Sequence, residues 1–184
     1  RPSNIMGASK RMAEMTIQSL NTMPSDTKFS MVRFGNVINS SGSVVPLFLD
    51  QIAKGGPVTV TDKDVTRYFM TINDAVNLTL QSTQLSNKGK IYVLDMGKPI
   101  NIYELVKKII INSGKENLIK KIKITGLRNG EKLHEKLYHS NMSQPTSNKL
   151  ILSEKIDKIF SNKEVQMIKS KLNSSLENND IKFI

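Results

Sequence analysis

The chain has 184 residues, enough for a domain with a substantial core, and its 38% hydrophobic and 23% charged content is typical of a globular protein. It has no cysteine, which excludes disulfides, thiolate metal sites and cysteine nucleophiles, and no apolar run of the length that crosses a bilayer. The net charge of +11 invites a nucleic-acid hypothesis, but only five of the 27 basic residues are arginines and 5% of residues are aromatic, so we expect no nucleic-acid partner.

Hydrophobic periodicity and turn residues predict alternating helices and strands. The predicted helices cover residues 5–20 (capped by Ser3 or Asn4), 44–53, 73–84 (capped by Asn73-Asp74), 102–113 and 163–176. The predicted strands cover residues 28–34, 58–61, 67–70, 90–95 and 122–125. This alternation indicates an α/β fold, and beyond residue 145 only the last of these helices is predicted.

Met6 and Lys10 stand four residues apart in the first predicted helix, so their side chains are neighbours on one face. A thioether neither accepts nor donates a proton in catalysis, so Met6 is not a general base. His134 and His139 lie five residues apart without a carboxylate cluster beside them, although Glu131 or Glu135 could join them. We therefore expect ordinary surface histidines and no metal site.

No glycine-rich loop follows a predicted strand, so nothing in this sequence cradles a dinucleotide pyrophosphate. Six segments nevertheless resemble, in order, the C-terminal portion of an extended short-chain dehydrogenase/reductase of the polysaccharide-biosynthesis UDP-N-acetylglucosamine 4,6-dehydratase family. They are residues 1–14, 32–37, 40–46, 66–71, 93–97 and 126–133. The resemblance covers about residues 1–150, and six spaced motifs in one order make it specific.

The resemblance implies the C-terminal part of a Rossmann-type α/β fold with a small α/β substrate-binding domain, and with the N-terminal dinucleotide-binding half absent from this sequence. It divides the chain into residues 1–35 and 64–95 of the Rossmann domain, residues 36–63 and 96–150 of the substrate-binding part, and a C-terminal tail, 151–184, with a weak helix. We expect the chain to be a fragment that is inactive alone.

The resemblance also implies roles for individual residues. Lys10 corresponds to the lysine that bonds the nicotinamide ribose of NADP or NAD, a cofactor held mainly by the missing half. Met6 occupies the place of the tyrosine base. Long, membrane-anchored members of this group often carry methionine there, and an acidic/lysine pair upstream of Arg1 is thought to handle the protons.

Six residues match positions that bind the nucleotide sugar in this family: Asn36, Ser41, Ser43, Arg67, Arg128 and Glu131. The two arginines offer rigid forks to phosphate oxygens, and a UDP-sugar carries two phosphates. The other residues keep an alternative interpretation. Asn36 could simply turn the chain, the two serines could cap the helix that begins at Val44, and Glu131 could pair with Lys132 or Lys136.

The activity implied is a UDP-sugar 4,6-dehydratase of surface polysaccharide or glycan biosynthesis. It would act in the cytoplasm, or at the cytoplasmic face of the inner membrane if an upstream anchor exists. The alternatives are a UDP-sugar epimerase of the same superfamily, against which Met6 counts, and a non-catalytic remnant that binds UDP-sugars. A homo-oligomer is expected, because the helix from Ser3 to Leu20 lies where the superfamily often builds dimers.

Overall fold

The computed structural model describes residues 2–40, 42–85, 88–136, 143–154, 156 and 158–178. The helices are α1 (Ile5–Leu20), α2 (Val44–Ala53), α3 (Ile72–Gln84), α4 (Ile102–Asn112) and α5 (Asn162–Glu177), with a 3-10 helix at Glu116–Lys121. The strands are β1 (Met31–Arg33), β2 (Asn36–Val37), β3 (Val58–Val60), β4 (Thr66–Arg67), β5 (Phe69–Met70), β6 (Ile91–Leu94), β7 (Ile100–Asn101), β8 (Ile122–Ile124), β9 (Ser143–Pro145) and β10 (Ile151–Glu154).

Four strands form the main sheet in the order β1-β6-β10-β9. β1 runs parallel to β6, with Arg33 beside Val93, whereas β10 runs antiparallel to β6, with Leu152 beside Val93. Every residue of β6 is buried, as expected of a strand with neighbours on both edges and covered faces. The remaining strands form the pairs β2/β5, β3/β8 and β4/β7. The expected α/β architecture is confirmed.

Two groups of buried side chains stabilise the fold. The first, which we call the helical cluster, joins α2, β3, α4 and the 3-10 helix through Phe48, Ile52, Val58, Val60, Val65, Ile102, Val106, Ile110 and Leu118. The second, the sheet cluster, packs α3 on the main sheet through Met70, Ala75, Leu78, Tyr92, Leu94 and Ile151. Neighbouring residues of β5 belong to different groups, because Phe69 packs on the helical cluster and Met70 lies in the sheet cluster.

The C-terminal region contributes more to the fold than the sequence predicts. β9 and β10 were not predicted, yet β10 lies inside the main sheet between β6 and β9. The expected last helix is present as α5, and it packs against α1 with Val165 fully buried. The segment boundaries drawn from the sequence stay a prediction, but two elements of the expected tail pack onto the sheet layer and α1.

Other differences concern the ends of elements. The strand predicted over residues 28–34 is confined to β1, and the one predicted over 67–70 is two short strands separated by Tyr68. The cap expected at Asn73-Asp74 is wrong: Thr71 caps α3 by accepting from the backbone N–H of Asp74. Asn4 is the N-cap of α1, as one of the two expected alternatives.

A cluster of charged side chains joins α1 to the main sheet. The Arg33 guanidinium on β1 donates to Glu14 of α1, at 2.7 Å between Nη2 and Oε2, and also to Glu154 of β10. Arg11 donates to the same Glu14 carboxylate at 2.9 Å. Burial alone raises the pKa of Glu14, but the hydrogen bonds from Arg33 and Arg11 outweigh it and hold that pKa below its ordinary 4.5. Glu14 therefore stays ionised and fixes the orientation of α1.

Candidate functional site

Met6 and Lys10 lie one turn apart on α1, and both side chains are exposed. The lysine forms no hydrogen bond or ion pair with any described residue, but its charge is one of those that oppose the effect of burial, which raises the pKa of Glu135. The spacing predicted from the sequence is therefore realised on a helix, and the Lys10 side chain is exposed there.

The segment after β8 forms a tight turn that carries Arg128 and Glu131. The backbone N–H of Arg128 donates to Oε2 of Glu131 at 3.1 Å, and the N–H of Glu131 donates to the Arg128 carbonyl at 2.9 Å. Gly126 and Gly130 have φ values of 85° and 74°, a region that favours glycine. The Arg128 side chain is exposed, and within the described part of the chain its guanidinium has no hydrogen-bond or ion-pair partner.

Arg67 is the opposite case, because protein atoms already surround its guanidinium. Its Nη1 donates to the carbonyls of Thr66 and Leu133, at 2.8 and 3.2 Å, and its Nη2 donates to Oε1 of Glu131 at 2.9 Å. Its Nε lies 3.4 Å from Oε1 of Glu135. The structure thus brings Arg67 and Glu131 together as an ion pair, and Glu131 also accepts from Thr61 at 3.2 Å.

Glu135 is a half-buried carboxyl that the sequence analysis weighed only as a companion of the histidines. Burial raises its pKa above the ordinary 4.5, against the opposing effects of Arg67, the backbone N–H of Tyr68, Lys132 and Lys10. Its environment comes from the packing of residues 131–135 along β4, where Thr66 and His134 form a bridge. No local motif signals such a contact across almost 70 positions of sequence.

The other expected substrate contacts are arranged less uniformly. Asn36 lies in β2, half-buried, and its side-chain amide donates to the Tyr68 carbonyl at 3.2 Å. Ser43 is the N-cap residue of α2, but its hydroxyl makes no capping bond, and it is buried without a partner in the described structure. Ser41 lies outside the described residues, so its expected role stays a prediction.

The metal hypothesis finds no structural counterpart in the described residues, which contain no group of three or more His, Asp or Glu side chains placed to hold an ion. His134 is exposed, with its Nδ1 3.0 Å from the Thr66 hydroxyl. His139 lies outside the described residues.

Residues 1–156 match the family described as polysaccharide biosynthesis protein. The chain belongs to this family. Its curated relatives include the capsular polysaccharide biosynthesis protein CapD of Staphylococcus aureus, 48% identical over 176 residues. Another is the probable polysaccharide biosynthesis protein EpsC of Bacillus subtilis, 51% identical over 140 residues. These matches cover 96% and 76% of the chain but only 28% and 23% of the two relatives, so the chain spans about a quarter of their length.

A UDP-glucose 4-epimerase of Rickettsia canadensis is a more distant relative of this family member, 37% identical over 76% of the chain and 40% of its own length. Among solved structures, Pen from Bacillus thuringiensis matches with a TM-score of 0.73 and 32% identity, over 92% of this chain and 58% of that one. The fold is therefore the mixed α/β fold of the extended short-chain dehydrogenase/reductases, and the chain corresponds to its C-terminal part.

In the part of the chain that the structure describes, every helix is too short or too polar to cross a bilayer.

Proposed function

We propose that the protein containing this chain is a nucleotide-sugar 4,6-dehydratase of the UDP-N-acetylglucosamine type, acting in surface polysaccharide or glycan biosynthesis with NADP or NAD. The observation that carries the proposal is the pairing of Met6 with Lys10 on the exposed face of α1, in a family member 48% identical to CapD. That face keeps the superfamily's lysine but lacks the tyrosine base. A dehydratase that uses other proton-transfer groups tolerates this loss.

Lys10 fits a contact with the cofactor. Its ammonium group is exposed and has no hydrogen-bond partner among the described residues, so its three donors are available for ribose hydroxyls. When bound, the nicotinamide ring would accept hydride from C4 of the sugar and return it to C6 after water is lost across C5 and C6. The charge of Lys10 would also lower the proton affinity of groups that approach it.

Arg128 is our candidate for the diphosphate contact. Its guanidinium is exposed and unpartnered within the described structure, and a phosphate accepts two parallel N–H donors from such a group. Glu131 would remain beside the ribose, while Arg67, already bonded to that carboxylate, would hold it in place. Asn36, Ser41 and Ser43 complete the proposed substrate contacts, and the unpartnered Ser43 hydroxyl is consistent with a donor that awaits an acceptor.

The experiment supplies the complete gene product with UDP-N-acetylglucosamine and either NADP⁺ or NAD⁺, and reads the mass of the product. Loss of one water from the sugar nucleotide is the expected result. Binding of UDP without any reaction would contradict the proposal and favour a non-catalytic remnant. The chain alone is expected to be inactive.

A UDP-sugar 4-epimerase is the second candidate, because a relative with that name is 37% identical over most of the chain. An epimerase would leave the mass unchanged and invert one sugar stereocentre. Met6 argues against this outcome, since a thioether cannot replace the tyrosine on which epimerases of this superfamily normally rely. We further propose a homo-oligomer located in the cytoplasm or at the cytoplasmic face of the inner membrane.

A further inference from the structure

The Arg128 turn touches the beginning of α1, although the two are separated by most of the chain. The Ser3 hydroxyl donates to the Gly130 carbonyl at 2.8 Å, and the Asn4 side-chain amide donates to the same carbonyl at 3.3 Å. We propose that Ser3, Asn4 and Gly130 form a clamp that positions the Arg128 turn relative to Lys10. The catalytic meaning of the clamp rests on the proposed function, in which Lys10 would bind the cofactor and Arg128 would bind the diphosphate of the sugar nucleotide.

Asn4 contributes to two structures at once. Its Oδ1 accepts from the backbone N–H of Gly7 at 2.8 Å and so caps α1, while its Nδ2 donates to Gly130. Aspartate and serine cap helices equally well, but neither offers an amide donor on the same group. The same side chain therefore starts the helix that carries Lys10 and bonds to the turn that carries Arg128.

Gly130 permits a contact that no other residue allows. A Cβ at this position would lie 2.3 Å from the Ser3 carbonyl oxygen and 2.9 Å from the Asn4 Cβ, far inside van der Waals distance. Gly126, at the start of the same turn, has a similar positive φ, yet nothing lies within 4 Å of its Cβ position. Gly130 is thus required by the close approach of α1, in addition to the shape of the turn.

The far side of the turn is held independently. Glu131 follows Gly130 directly, and its Oε1 accepts from Arg67 and Thr61. Between α1 on one side and Arg67 on the other, the turn has little freedom, while the Arg128 guanidinium bonds to none of the described residues. The clamp therefore fixes where Arg128 projects while leaving that side chain free for a ligand.

The test uses the complete gene product carrying Ser3→Ala together with Asn4→Asp, which removes both donors and keeps a capping oxygen. The two donors share one carbonyl acceptor and the Asn4 contact is long, at 3.3 Å, so their joint loss should equal about one net hydrogen bond. We therefore expect the Kd for UDP and the KM for the UDP-sugar to rise about fivefold. Amide exchange at Arg128 and Glu131 should accelerate by about the same factor. Ser3→Thr keeps the hydroxyl donor and should behave like wild type. Ser174→Ala on α5 is the control, because it also removes a serine hydroxyl that donates to a backbone carbonyl, but at a position outside the clamp.

A glycine pair gives a second measurement. Gly130→Ala and Gly126→Ala each place an alanine at a similar positive φ, so their backbone strain should be comparable. Only Gly130→Ala introduces a Cβ that clashes with the start of α1. Gly130→Ala should therefore accelerate exchange at Arg128 and weaken UDP binding more than Gly126→Ala does.

A purely structural role would lower the melting temperature and the active fraction, while KM, the Kd for UDP and exchange at the turn stayed at wild-type values. That result would overturn the clamp, as would equal behaviour of the two glycine variants. Failure of the wild-type protein to bind UDP would instead remove the proposed function. The exchange rates of the variants show whether the clamp exists, whether or not the wild-type protein binds UDP.

Discussion

Two arginines for which the sequence predicts the same role, phosphate binding, have different surroundings in the structure. Arg67 and Arg128 both lie in motifs that predict phosphate binding, and composition makes both unusual in a lysine-rich chain. The structure surrounds Arg67 with two carbonyls and two carboxylates, and leaves Arg128 exposed. Residue type and spacing show that a guanidinium is present, but its partners come from β4 and from residues 131–135, which meet only after folding.

We expect Arg67→Gln to lower the free energy of unfolding by about 1–3 kcal/mol, because it leaves the half-buried carboxylates of Glu131 and Glu135 without their guanidinium. Arg128→Gln, the matched control, should leave that free energy within about 0.5 kcal/mol of wild type, since its side chain contacts no partner in the described structure. Urea unfolding followed by circular dichroism measures both. Equal losses in the two variants would contradict the division of roles.

The same two variants separate binding from stability. Arg128→Gln should weaken UDP binding by about tenfold or more, the effect of losing a charge-assisted hydrogen bond, with no change in the free energy of unfolding.

The residues whose role in the site was not predicted from the sequence are Ser3, Asn4, Gly130 and Glu135. Asn4 was identified as a helix cap, but nothing local reveals that its other amide atom reaches the turn.

At the scale of secondary structure, α1 is held on the sheet by ionic hydrogen bonds as well as by packing. Glu14 projects from the helix one turn after Lys10 and accepts from Arg33 on β1, which also donates to Glu154 on β10. These bonds join a helix to two strands of the main sheet. The position of Lys10 therefore depends on the Glu14 carboxylate, one turn along the same helix, which bonds to the sheet through Arg33.

Hydrogen bonds from Arg33 and Arg11 hold the pKa of Glu14 below 4.5 in the folded state. Ionisation of Glu14 therefore stabilises the folded state relative to the unfolded chain. That stabilisation is present above about pH 4.5 and is lost as the pH falls through the lowered pKa. Glu14→Gln should cost about 1.5–3 kcal/mol at pH 7, and the difference from wild type should narrow below pH 4.5.

Urea unfolding at a series of pH values provides the measurement. Glu104→Gln serves as the control, because that carboxylate is 56% exposed and, among the described residues, forms its ion pair with Lys107 three residues away. A difference for Glu14→Gln that stays constant from pH 7 to well below 4.5 would refute the role of its charge.

Sequence patterns identified the helices better than the strands. All five helices were predicted within two residues at each end, because their apolar periodicity extends over ten or more positions. β9 (Ser143–Pro145) contains two polar residues and a proline, and β10 (Ile151–Glu154) ends in two polar residues, so neither shows the apolar pattern that marks the equally short β3 and β6. β10 forms by pairing with β6, which is remote in sequence, and β9 forms by pairing with β10.

For the whole molecule, the helical cluster and the sheet cluster meet at β5. A shared strand couples the two groups, so damage to one should reduce the stability of both.

Ile110→Ala tests this coupling, with Ile111→Ala as its neighbour and control. Ile110 is fully buried in the helical cluster, whereas Ile111 is 48% exposed. The first should destabilise the protein by about 2–5 kcal/mol and the second by about 0.5 kcal/mol or less. We expect a single unfolding transition for each variant. In Ile110→Ala, hydrogen exchange in β6 should also become faster, and exchange measurements test this. Unchanged protection of β6 in Ile110→Ala would show that the clusters unfold separately.

The clamp also has a consequence in time. Ser3 and Gly130 are 127 positions apart, and Arg33 and Glu154 are 121 apart. At about 5–20 residues per second, a ribosome needs roughly 6–25 s between making Ser3 or Arg33 and making the residue to which it bonds. For that interval α1 lacks the Gly130 carbonyl and Arg33 lacks Glu154, so the helix must stay available and unaggregated until residues 130–154 have been made.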